Sequence, residues 1–383
     1  MILESIQAHQ FRNLSGELHL GPRLNIIFGS NGQGKTNWLE GVYLLSRTKS
    51  FRTQRLRESI KFGQETAYVR GQVSSGSDIR RDLQVTLQGN TKAISINGKK
   101  EPLTRYLSQL QVFAFTVDEL EVVRGVPEAR RRFIDRGVAS LQPAYVQTVL
   151  DYNRIIKQKN RILQDANEQR LSLVQVEDLV SPWNEQLARI AAEIHEVRTS
   201  YIVRINEVLE RGLFENRDVH ITYVSFLEGK GDLKDYQALI NQRLRLRLGA
   251  ELGAGRSLIG PHRDDLEILL DGREMRVFGS AGQQRSALLL LDLAAISLYN
   301  SWHGDYPLFL IDDVDAELDE RRIRHLLEYL ESRTQTFITT SKRSHLESFL
   351  SRASVYQIDD GKALNSEKER GPASEVLATL DTI

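Results

Sequence analysis

Gly29-Ser30-Asn31-Gly32-Gln33-Gly34-Lys35-Thr36 matches the pattern G-x-x-x-x-G-K-[ST] in full. Leu24-Asn25-Ile26-Ile27-Phe28 before it is apolar and β-prone. Asn37-Trp38-Leu39-Glu40-Gly41-Val42-Tyr43-Leu44-Leu45 after it spaces apolar residues as a helix does. Strand, glycine turn and helix start together aim backbone N–H groups and a helix N-terminus at a polyphosphate. On this pattern Gly29, Ser30, Asn31, Gly32, Gln33 and Gly34 wrap the phosphates. The Lys35 ammonium reaches the β- and γ-phosphates, and the Thr36 hydroxyl is a ligand for Mg²⁺. ATP and Mg²⁺ are therefore the expected cofactors. An ordinary glycine-rich turn shares the letters but not the flanking strand and helix.

A phosphate loop binds nucleotide; hydrolysis also needs an acidic strand end. Pro307-Leu308-Phe309-Leu310-Ile311-Asp312-Asp313 supplies one. Its apolar run reads as a buried parallel strand. Asp312 is expected to hold Mg²⁺, and Asp313 to orient or deprotonate the attacking water, which makes Asp312, Asp313 and Lys35 the candidate catalytic set. An Asp pair ending a strand is common alone; beside a complete phosphate loop it reads as the other half of one site.

Upstream lies Gly279-Ser280-Ala281-Gly282-Gln283-Gln284-Arg285, followed by a long apolar helix from Ser286 to Tyr299. Ser-x-Gly-Gln opening a helix resembles the signature motif of the ABC ATPase superfamily, with Ala281 where a glycine is usual. Physically it is a second helix N-terminus carrying a hydroxyl and a glycine, suited to an anion. The resemblance implies that Ser280, Gly282 and Gln283 contact the γ-phosphate held by a second subunit, hence an ATP-dependent homodimer. The wide separation of the two halves implies a head assembled from both chain ends, as in SMC-like repair ATPases.

Further segments carry a closer resemblance. These are Phe11-Arg12-Asn13-Leu14, the extended phosphate loop through Glu40, Leu45-Ser46-Arg47-Thr48-Lys49-Ser50-Phe51-Arg52, the stretch Val122 to Asp135, and Gly260-Pro261-His262-Arg263-Asp264-Asp265-Leu266. They cover nearly the whole chain and resemble the RecF family of bacterial recombination and repair ATPases. The resemblance implies binding to double- and single-stranded DNA at gaps or junctions, help in loading a recombinase (RecA), RecR as a partner, and a place for Arg12 at the nucleotide. Two departures are visible. No Gln stands near Val112 to Asp118, and Phe337-Ile338-Thr339-Thr340-Ser341 has hydroxyls where ABC heads often carry a His. Both point to slow hydrolysis, a switch rather than a motor.

The remaining features bound the reading. The 383 residues carry 51 Lys+Arg and 51 Asp+Glu, so a DNA site must be a local basic patch. There are no cysteines, which excludes disulfides and thiol chemistry and fits a cytoplasmic protein. The eight histidines are scattered, with no metal-binding spacing. Met1 to Gln7 lacks a signal-peptide core, and Ala287 to Leu298 is too short to span a bilayer, so no membrane partner is expected.

The expected fold class is α/β: an ABC-type head with an appended antiparallel subdomain and an inserted, mainly helical domain. The expected division is 1–120 and 261–383 for the head and 121–260 for the insert. Core strands are read at 24–28, 307–311 and 335–339, and hairpins at Tyr68 to Val73 and Leu83 to Asn97, with Asn97-Gly98 as a turn. Two helices, around 145–163 and 187–208, form an antiparallel pair, with polar Gln164 to Ser181 between them; it either packs on its domain or protrudes as an arm. Gly361 to Ser374 reads as a loose tail. Candidate DNA contacts are Lys49, Arg52 and Arg55, and Arg130, Arg131 and Arg132. Arg243, Arg245 and Arg247 alternate with leucines and read as structural. Two other classes compete: an ATP-dependent nuclease of the overcoming-lysogenisation type, for which too little chain follows the head, and a transporter's ATP-binding subunit, which needs no split head.

Overall fold

A computed structural model describes residues 1–76, 79–213, 218–342 and 346–367. The chain forms two compact units, one from Met1–Glu119 with Tyr299–Ile383 and one from Leu120–Leu298. The return to the first unit comes at Tyr299, later than the expected 261. The reason is local: the strand Asp265–Leu270 pairs along its length with Val219–Val224, so this stretch belongs with the residues before it.

The first unit holds two six-stranded sheets. One runs, edge to edge, Lys362–Glu367, Ala353–Asp359, Leu24–Phe28, Thr336–Thr340, Leu308–Ile311, Val112–Phe115. All neighbours are parallel except the first pair. Leu308–Ile311 and Val112–Phe115 are buried throughout, the pattern of strands covered on both faces. The second sheet is antiparallel, in the order Leu14–His19, Ile2–Phe11, Thr66–Ser75, Ile79–Gln88, Thr91–Ile96, Lys99–Lys100. Its last turn is the expected Asn97-Gly98, both with positive φ.

The helix Lys35–Arg47 touches strands of both sheets, and every residue from Trp38 to Ser46 is buried. A helix stretch buried all round needs apolar side chains all round, which residues 38–46 have apart from Glu40, Gly41 and Ser46. Gly71 is required by this packing, since a Cβ there would lie 2.5 Å from a Leu45 methyl.

The second unit is mainly helical, around Pro127–Leu141, Tyr145–Glu168 and Leu173–Leu209, with a small antiparallel sheet of Val219–Val224, Asp265–Leu270 and Arg273–Glu274. The two long helices pack on each other, as expected, but their connection is much shorter than Gln164 to Ser181. Only Gln169 to Ser172 separates them. Arg170 takes the left-handed conformation, and Leu171 N–H returns to Ala166 O at 3.0 Å. Ser172 and Gln175 then cap the second helix reciprocally. The polar composition hid a narrow stripe: Val176 and Val180 are buried against Leu163, Ala166 and Leu248.

The expected loose tail begins with structure. Gly361 turns the chain and Lys362–Glu367 pairs back on Ala353–Asp359; the rest of that segment lies outside the described residues. No helix among the described residues is long and apolar enough to cross a membrane.

Candidate nucleotide site

The phosphate loop leaves the strand Leu24–Phe28 and enters the helix Lys35–Arg47 through three glycines with positive φ, Gly29, Gly32 and Gly34. Gly29 cannot carry a side chain, because a Cβ would lie 2.5 Å from Ile358 O. Lys35 Nζ donates to Gly29 O at 2.7 Å and Ser30 O at 3.0 Å. Burial pushes its pKa down, opposed by the nearby charges of Asp313, Asp312 and Asp315.

The acidic strand meets the loop. Thr36 Oγ1 donates to Asp312 Oδ1 at 2.9 Å across 276 positions of sequence. Thr339 Oγ1 donates to the same oxygen at 2.7 Å and accepts from Asp313 N–H at 2.7 Å. Burial raises the Asp312 pKa above the usual carboxylate range, against the two hydroxyl bonds; Asp313 raises it further. Asp313 itself sits at φ 49°, a left-handed turn at the strand end. Asp315 Oδ2 accepts from Thr340 Oγ1 (2.5 Å), Ser341 N–H (2.9 Å) and Lys342 N–H (3.1 Å), tying the acidic segment to the end of the next strand.

Thr339 was visible in the sequence only as a hydroxyl where a His is common. The structure brings it onto both aspartates. A half-buried carboxylate with hydroxyl partners, beside a threonine hydroxyl, is an all-oxygen donor set, which fits Mg²⁺.

Arg12, expected at the nucleotide, gives its guanidinium to its own chain. Its Nε and Nη2 donate to the carboxylate of fully buried Glu40, at 2.9 and 2.7 Å, and its Nη1 to Glu58 O at 2.7 Å. Glu40 also accepts from Ser50 Oγ at 2.6 Å, so it anchors the loop that carries the first basic cluster. On that loop Arg52 donates to Asn37 Oδ1 at 2.8 Å, Arg55 is 85 % exposed, and Lys49 adds to the burial that pushes the Lys92 amine down to about 8.

In the second unit the signature segment caps its own helix. Ser280 N–H donates to Gln283 Oε1 at 2.9 Å and Gln283 N–H to Ser280 Oγ at 3.3 Å. A Cβ at Gly282 would meet nothing within 4 Å, so among the described residues nothing of its own chain demands a glycine there.

Of the second basic cluster, Arg130 is turned inward. Arg130 is 2 % exposed, with Nε and Nη2 on Asp265 (2.6 and 3.0 Å) and Nη1 on Gly125 O (2.7 Å). Arg131 donates to Asp264 O at 2.6 Å and is half-buried. Arg132 alone is exposed, and it pairs with Glu128 one turn before. The Gly-Pro-His-Arg-Asp-Asp-Leu segment is what these arginines hold. His262 Nδ1 lies 2.6 Å from Tyr152 OH, Arg198 donates to Pro261 O at 2.8 Å, and buried Asp264 accepts from Tyr223 OH and from Phe226 N–H.

The family model described as the RecF/RecN/SMC N-terminal domain matches residues 2–363. A protein of a Geobacter species named DNA replication and repair protein RecF is 36% identical over 374 residues, covering 95% of this chain and 100% of that one. One of the same name from Shouchella clausii is 33% identical, covering 94% and 98%. The chain belongs to the RecF family. A solved RecF–ATP complex, described as the recombination mediator protein in the RecFOR pathway, superposes with a TM-score of 0.85 at 30% identity, covering 94% of this chain and 96% of the other. An SMC head bound to the C-winged helix domain of ScpA shares the fold at a TM-score of 0.54 and 14% identity. The fold is thus the ABC-type ATPase head of the RecF family, with its antiparallel sheet and helical region.

Proposed function

We propose that this chain is an ATP-switched DNA-binding protein of recombinational repair and replication-fork maintenance. The observation that carries the reading is the Thr36–Asp312 contact, which joins a complete phosphate loop to an acidic strand end in a chain that matches RecF proteins over nearly their whole length. Lys35 exchanges its two carbonyl partners for the β- and γ-phosphates. Thr36 and Asp312 would hold Mg²⁺, which would supply charge to offset that developing on the phosphates. Asp313, turned by its left-handed backbone and held through Thr339, orients the attacking water. With a hydroxyl in place of the frequent His, turnover is slow, and DNA raises it.

Ser280, Gly282 and Gln283 act on the nucleotide of a second copy, so that two ATP molecules are shared by a two-fold dimer. ATP then binds the dimer better than the monomer, and by linkage dimerisation tightens ATP. The dimer binds gapped or junction DNA, cooperates with RecR and recombinase loading, and hydrolysis releases it. The decisive assay is the ATPase rate with and without gapped duplex DNA. Stimulation by DNA supports the reading; a rate indifferent to DNA, in a protein that does not retain DNA with ATP bound, removes it.

A further inference from the structure

The outer face of the phosphate loop is covered by the turn of the last hairpin. Gln33 O accepts from Gly361 N–H at 2.7 Å and from Asn13 Nδ2 at 3.4 Å. Gln33 Oε1 accepts from Asp360 N–H at 2.8 Å. The Trp38 indole N–H donates to Gly361 O at 3.2 Å, and Asn37 Nδ2 to Asn13 Oδ1 at 2.7 Å. The fit is tight. A Cβ on Gly34 would lie 2.7 Å from Asn13 Oδ1 and 3.2 Å from Gly361 Cα, and a Cβ on Gly361 would lie 2.2 Å from Asn13 O. Gly34 and Gly361 both have positive φ.

A trans peptide is planar, with its C=O and N–H pointing in opposite directions. Two donors hold the Gln33 carbonyl outward, so the N–H of the same peptide, that of Gly34, is turned toward the concave side of the loop. That side is where a glycine-rich loop presents N–H groups to phosphate. We propose that Asn13 and the Asp360-Gly361 turn are positioning residues for the nucleotide: they clamp the Gln33–Gly34 peptide in the phosphate-binding orientation and couple docking of the C-terminal hairpin to nucleotide occupancy. The inference rests on the phosphate loop's reading as a nucleotide site. Because coupling is reciprocal, a bound phosphate chain that holds the Gly34 N–H also holds the Asp360 and Gly361 amides in place.

The test is amide hydrogen exchange on the full chain, with and without saturating ADP, combined with ADP and ATP titrations of Gly361→Ala and Gln33→Ala. ADP is expected to slow exchange at Asp360 and Gly361 by about ten-fold or more. Gly361→Ala is expected to weaken ADP and ATP by the same factor, about ten-fold, since the clamped N–H serves both nucleotides. Gln33→Ala, which keeps the backbone bonds and fits without strain, is expected to weaken both by about three-fold. If the wild type binds ADP but exchange at the hairpin turn is unchanged, or Gly361→Ala folds and binds both nucleotides as the wild type does, the clamp is overturned while the nucleotide site stands. If the wild type binds neither nucleotide, the site reading falls and takes the clamp with it.

Discussion

In the second unit Arg130, Arg198 and Lys159 each face a carboxylate of their own chain: Asp265, Asp135 and Glu251 at 2.6, 2.8 and 2.6 Å. In the first unit Lys35 faces two carbonyl oxygens and Asp312 two hydroxyls, and burial shifts both away from their charged forms. The same residue types therefore do opposite things. Charges that meet in direct ion pairs inside the chain close a structure; Lys35 and Asp312 donate to and accept from neutral groups, with Asp313 and Asp315 acting on Lys35 through charge, and so keep hydrogen-bonding capacity for a ligand. Glu40 of the first unit follows the pattern of the second, a buried carboxylate already closed on Arg12.

Removing charge from each side separates the two behaviours. Lys35→Ala should reduce ATP affinity by about a hundred-fold or more while leaving urea unfolding nearly unchanged, because its phosphate bonds lie outside the folded chain's own accounts. Wild-type affinity would refute the assignment. Arg130→Ala should do the reverse. It strands Asp265 and should lower the unfolding free energy by about 3 kcal/mol, with ATP affinity of the folded protein within about two-fold of wild type. Unfolding unchanged from wild type would return Arg130 to the list of candidate DNA contacts.

Acid sharpens the contrast. Burial holds His262 and His195 down to about 4. Their unfolded forms take up protons first, near pH 6.5, so their contribution to stability is intact above that pH and is lost as pH falls toward 4. Asp312 has the opposite sign, since its raised pKa makes acid less costly for the folded state. Unfolding followed at Trp183 of the second unit should therefore lose stability between pH 7 and 5 faster than unfolding followed at Trp38 of the first. Equal losses would show that the buried histidines are not the cause. The smallest effect is expected at the exposed rim. Arg55→Ala should weaken DNA binding uniformly across sequences and lower its salt slope by about one, with stability within about 0.5 kcal/mol of wild type. An unchanged slope would exclude Arg55 from the DNA surface.

The legible parts of this molecule are those whose chemistry is local. The glycine spacing of the phosphate loop, the apolar run before Asp312 and the Asn97-Gly98 turn each follow from a few neighbouring residues, and all three lie in the structure as the sequence implies. What stayed hidden depends on distant partners. Whether Arg130 is a DNA contact is decided by Asp265, 135 positions away. Thr339 looked like a missing histidine until the parallel pairing of Thr336–Thr340 with Leu308–Ile311 set its hydroxyl on Asp312. The hairpin on the phosphate loop escaped notice because Gly361 opens a polar stretch, and composition alone cannot tell a loose tail from a turn held by Gln33 and Trp38.

In the proposed function, ATP and the signature of a second copy complete the open charges of the first unit. Light scattering of Asp313→Asn and Ser280→Arg with ATP and Mg²⁺ tests this most directly. Asp313→Asn keeps the phosphate contacts but not the group that orients water, so it should accumulate as an ATP-bound dimer. Ser280→Arg should bind ATP as a monomer and stay one, because it puts bulk and charge where the partner's nucleotide must sit. A Ser280→Arg protein that dimerises with ATP as well as the wild type would contradict the account.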